Sequence, residues 1–143
     1  MGASAAFGVY ICFMTKLEHI AYWCETAEDD WLSANDLLGT GRYLQCLFLA
    51  HLTIEKISQA HGVLNNEGDY PPRIHNILSI WANTQLAPSI SQENTVAELN
   101  RFQLEGRYPD YQRAVARLAT EVYTRNLLHE IEQLRQWLLS KLP

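Results

Sequence analysis

Apolar residues recur at three- and four-residue intervals along most of the chain, the spacing that gathers them on one face of an α-helix. In the first periodic segment, from about Thr15 to Leu38, the stripe runs Leu17, Ile20, Ala21, Cys24, Ala27, Trp31, Ala34 and Leu38, and Gly39-Thr40-Gly41 ends it. A second segment runs from about Arg42 to Leu64 through Tyr43, Cys46, Leu47, Ala50, Ile54, Ile57 and His61. The turn-rich stretch NNEGDYPP follows, and Pro71-Pro72 suit the first turn of a third helix through about Leu86. Pro88 and the pair Ser89-x-x-Gln92 then open a shorter helix to about Leu104. After EGRYPD, Asp110 is placed to cap a last helix of about thirty residues, because nothing from Tyr111 to Leu142 is Gly or Pro. There is no Asn-Gly hairpin and no sustained alternation that would signal strands. The pattern predicts an all-α protein: an antiparallel up-and-down bundle of four main helices plus a short extra helix.

Length and charge narrow this picture. At 143 residues, with 48% hydrophobic and 19% charged, the chain can bury one proper core without disulfides or metals. A net charge of −5 argues against non-specific nucleic-acid binding by bulk charge. The acids crowd the first half, as in CETAEDDW. The arginines crowd the second, at Arg101, Arg107, Arg113, Arg117, Arg125 and Arg135, so one end of the fold is expected to be locally positive. Cys12, Cys24 and Cys46 are odd in number, sit in apolar runs and form no Cys-x-x-Cys, which reads as reduced thiols of a cytoplasmic protein.

The apolar start MGASAAFGVYICF is too short to cross a membrane and lacks the basic flank of a signal peptide. Thr15-x-x-Glu18 is a capping-box pattern that marks where the fold begins. Residues 1–13 are therefore read as a leader of unassigned origin and residues 14–143 as one helical domain, with no membrane segment.

Four places combine residues that could carry chemistry. His51 and Glu55 lie one turn apart on the second helix, with Lys56 beside them. A metal would need further ligands at set spacing, and no His-Glu-x-x-His or Cys/His cluster is present, so these three read as a structural polar network with no metal and no cofactor. PPRIHN puts Arg73 and His75 near a helix start, where free N–H groups favour an anion. GRYPDY holds Arg107 and Tyr108 ahead of Pro109 and the capping Asp110, a second place for an anion or simply a helix start with Arg107 paired to Glu105. Arg125 and His129 lie four apart on the last helix. They fall where the apolar seam Tyr111, Val115, Leu118, Val122 would continue. An Arg and a His so placed could hold a phosphate and move a proton in metal-free RNA cleavage; the alternative is that the seam drifts and leaves both at its edge. Trp23, Trp31, Trp81 and Trp137 fall in helical stripes and read as core rather than as platforms for stacked bases.

The stretch AEDDWLSANDLL…GRYLQCLFLAHLTIEKISQAH, then YPPRIHNILSIW and RYPDY in that order, resembles the HEPN (higher eukaryotes and prokaryotes nucleotide-binding) domain family, most closely its small single-domain prokaryotic members. The resemblance spans Thr15 to Leu142. It implies an antiparallel helical bundle, commonly a homodimer, often working with a minimal nucleotidyltransferase encoded beside it in toxin–antitoxin or stress systems. It also implies kinship with metal-independent ribonucleases, whose motif is Arg, four to six residues, then His. Here Arg125-Asn126 has the family's start, but only three residues precede His129, and one residue turns a helical side chain by about 100°. On this resemblance the chain is expected to bind a nucleotide or other anionic small ligand near Arg73, His75, Arg107 and Tyr108. His51, Glu55 and Lys56 would serve as scaffold bordering the groove. RNA cleavage by Arg125 and His129 is the alternative.

Overall fold

A computed structural model describes residues 15–66, 75–103 and 109–143, with backbone alone at 109–112. Helix α1 (Lys16–Gly39) starts at Thr15, whose hydroxyl accepts from the Glu18 N–H at 3.1 Å, the expected cap. It ends in a tight turn where Gly41 takes φ +77°, a left-handed conformation that a side chain would strain. The chain reverses there into α2 (Tyr43–Asn65).

Helix α2 is apolar nearly all round, and its neighbours enclose it: α1 on one side, then the shorter elements and the last helix. Ala50, Ile54, Ile57, Ala60 and Val63 are essentially without solvent contact. Polar residues this deep need partners. Thr53 and Ser58 each donate to the carbonyl four residues back, at 2.9 and 2.7 Å, and the Trp81 indole N–H donates to Ser58 Oγ at 2.8 Å.

The third helix is much shorter than its sequence pattern suggests. Helix α3 spans Ile77–Ala82, capped by Asn76 accepting from the Ser79 N–H at 3.0 Å; Asn is a strong cap and sets the start at Ile77. Pro71 and Pro72 lie outside the described residues. Helix α4 (Ile90–Leu99) opens on the predicted Ser89/Gln92 capping box, with both reciprocal bonds made at 2.8 and 3.1 Å, and runs into a 3₁₀ turn, Asn100–Phe102.

The expected unbroken last helix is two helices. Helix α5 spans Pro109–Leu118 and already contains Asp110, so Asp110 does not precede the first turn as a cap; Pro109, with its fixed φ, occupies the first helical position. Helix α6 spans Glu121–Ser140 and restarts at Thr120, whose side chain accepts from the Tyr123 N–H at 3.3 Å. The restart resets the buried stripe. Val115 and Ala119 face inward before it, and Thr124, Leu127, Leu128, Ile131, Leu134 and Leu138 after it. Val122, which a continuous seam would bury, is 71% exposed.

Contacts along the helices give their directions. His61 donates to the Leu138 carbonyl at 2.8 Å, joining the C-terminal ends of α2 and α6. Asn100, after α4, meets His51 in the middle of α2, and the Tyr123 hydroxyl near the start of α6 donates to Glu98. Lys56 pairs with Asp30 of α1 at 2.7 Å. Taken in order, α1, α2, α4 and α6 alternate in direction: an antiparallel up-and-down helical bundle, with α3 as a short link. Arg135 ties the last helix to the first, stacking over the Trp31 ring at 5.2 Å and bonding Glu28 and Glu132. No described helix is long and apolar enough to cross a membrane.

Candidate functional site

Where α2 passes between α1 and the segments flanking α3 and α4, the surface opens into a groove of about 390 Å³. Its apolar wall is Trp23 from α1 with Phe48 and Leu52 from α2. Its polar side is His51, Glu55, Lys56 and Gln59 from α2, with His75 and Gln103 at the entrances of the neighbouring segments. The one-turn spacing that puts His51 beside Glu55 also points Phe48 and Leu52 the same way, so a single helix face supplies most of the site.

Glu55 is the centre of the polar side. Its Oε1 lies 3.0 Å from His75 Nδ1, and its Oε2 lies 3.8 Å from His51 Nδ1. His75 is 76% exposed on its side chain, so the first contact is a solvent-screened rim interaction rather than a buried pair. His51 is the reverse: its ring is 1% exposed, and Nε2 donates to Asn100 Oδ1 at 3.3 Å. Burial pushes the His51 imidazole below its ordinary pKa, with Glu55 and Asn100 opposing more weakly, so the ring is neutral at pH 7. The Lys56 ammonium is held by Asp30 and is not free charge for a ligand.

Arg125 and His129 lie elsewhere. Both are on the exposed face of α6, with the Arg125 guanidinium 3.0 Å from Glu121 and His129 accepting from the Gln133 amide at 3.2 Å. The polar interruption of the seam is thus the outer face of α6, re-phased by the restart at Thr120. Arg73, Arg107, Tyr108 and the side chain of Asp110 lie outside the described residues. Among the described residues no three His, Cys, Asp or Glu side chains converge as a metal-holding group. A second cleft, of about 260 Å³, lies by the ends of α2 and α6, lined by His61, Asn65, Gln85, Leu86, Trp137 and Lys141 among others.

Trp23, Phe48, Asn100 and Gln103 belong to the groove or its support, and local sequence carried no signal for any of them. Asn100 is 49 residues from His51, and only the fold makes them neighbours. The four tryptophans divide accordingly: Trp31 and Trp81 are buried, whereas Trp23 and Trp137 each line a cleft.

The structure of TT1696 from Thermus thermophilus shares this fold, with a TM-score of 0.72 over 87% of this chain and 98% of that one at 19% identity. No curated protein matches the chain. The family model of the HEPN domain matches residues 20–142, which takes in the six described α-helices but for the first residues of α1, and every residue named in the lining of the groove. The chain belongs to the HEPN domain family.

Proposed function

We propose that this chain is a nucleotide-binding HEPN module, acting in the cytoplasm as a homodimer beside a minimal nucleotidyltransferase partner of a toxin–antitoxin or stress-related system. The observation that carries the binding reading is the groove itself: an aromatic wall facing a set of hydrogen-bonding side chains, the composition a small planar ligand needs. Trp23 and Phe48 offer ring surface for a base, and Gln59, His75 and Gln103 offer polar atoms around it. The described side chains supply little net positive charge, since Lys56 is paired and Glu55 is an acid. The phosphate is therefore assigned to Arg73, Arg107 and Tyr108. These stand in the chain two residues before His75 and four and five after Gln103, the two residues at the groove entrances.

The test is calorimetric titration of the full chain with a nucleoside monophosphate and with inorganic phosphate, on wild type, Arg73→Ala and Arg107→Ala. Nucleotide binding that weakens in both variants supports the assignment; undiminished binding in both removes the arginines from it. The same protein incubated with RNA in excess chelator addresses the alternative activity. Cleavage lost in both His129→Ala and Arg125→Ala would replace the binding reading with ribonuclease chemistry on the outer face of α6.

A further inference from the structure

We propose that the buried side of the groove selects a base by its exocyclic amino group, so that adenine and cytosine nucleotides are preferred over their oxo counterparts; this rests on the nucleotide reading above. Asn100 Oδ1 can only accept, so His51 Nε2 carries the ring proton and Nδ1 is a bare lone pair. That nitrogen is buried and has no hydrogen-bond partner among the described residues. Glu55 Oε2 stands 3.8 Å from it, too far for a hydrogen bond and, as a carboxylate oxygen, another acceptor. The second Glu55 oxygen is already engaged by His75. Two acceptors thus face each other with no donor bonded to the imidazole nitrogen among the described residues, in a groove with an aromatic wall.

An unpaired buried acceptor is costly and is relieved by any donor that enters. An –NH₂ group brings two N–H bonds from one nitrogen and can satisfy both atoms at once. An oxo group at the same position brings a third set of lone pairs and is rejected. Burial keeps the imidazole neutral, which preserves the Nδ1 lone pair at physiological pH.

The experiment titrates the full chain at pH 7.5 with AMP, IMP, CMP and UMP, on wild type and on Glu55→Gln. In wild type AMP is expected to bind about five- to tenfold more tightly than IMP, and CMP than UMP by a similar factor, the worth of one or two net hydrogen bonds. In Glu55→Gln the new amide donates to His51 from within the protein, and both ratios fall towards one while the melting temperature stays close to wild type. Equal affinity for all four nucleotides overturns the amino-group selection and leaves the groove as a nucleotide site. No binding of any of the four overturns both. Retention of the wild-type ratios in Glu55→Gln overturns the role given to the His51–Glu55 pair.

Discussion

Replacing Ser58 by alanine would test whether polar groups inside α2 contribute through their pairing or only fill space. Ser58 is fully buried, its hydroxyl accepts from the Trp81 indole at 2.8 Å, and Trp81 is 2% exposed. Ser58→Ala therefore strands a buried N–H, a loss worth about 1–3 kcal/mol. A value of about 2 kcal/mol would lower the melting temperature of a domain this size by roughly 6 °C. Trp81→Phe removes the donor but also indole packing, including the edge-to-face contact with Trp137 at 5.8 Å. In the double variant no donor is left unpaired, so the two losses should not add. The cycle should return a favourable coupling of about 1–2 kcal/mol, read from urea unfolding at pH 7.5 with unchanged m-values. Additivity within about 0.5 kcal/mol would refute the reasoning, because the bond would then contribute nothing beyond packing.

Three further outcomes are expected. Thr124 is fully buried with its hydroxyl unpartnered among the described residues, so the isosteric Thr124→Val should raise stability, by roughly 0.5–1 kcal/mol, in the same unfolding assay. Thr120→Ala removes the cap that restarts α6 and should cost about 1 kcal/mol, with no change expected from Thr120→Ser. His51 and His61 both have pKa values lowered chiefly by burial, so the unfolded chain binds more protons than the folded one below about pH 6.5. Stability should be level above that pH and fall as the pH drops towards 5, and His61→Gln should flatten part of the fall; a profile unchanged from pH 7.5 to 5 would contradict the neutral rings.

What could be read from the chain was what is decided locally. The Thr15 and Ser89/Gln92 caps depend on atoms within one turn, and both starts fall where the pattern put them. The break at Thr120 lacked Gly and Pro, and only the mismatch between an inward Val115 and an outward Val122 shows why the helix must restart. Leu17 is 63% exposed although it lies on the predicted stripe, while Ile20, one turn on, is buried against Ala60 and Val63. In the groove, the His51–Glu55 spacing was visible, but Asn100 and Gln103 come from the far end of α4, and no short-range pattern encodes a partner so distant along the chain.

The restart at Thr120 also separates two time scales. An unbroken helix passes each opening along its ladder of backbone bonds, whereas a capped junction stops it there. Among the described side chains of α5, Val115 is buried and Leu118 packs partly buried against the core, with Ala119 buried just after the helix, while α6 holds six buried positions against the rest of the bundle. Amide hydrogens of α5 should therefore exchange in a fast, sub-global event while those of α6 wait for the whole domain to open. The segment just after Arg107 and Tyr108 would then be able to leave and return without disturbing the face that carries Arg125 and His129.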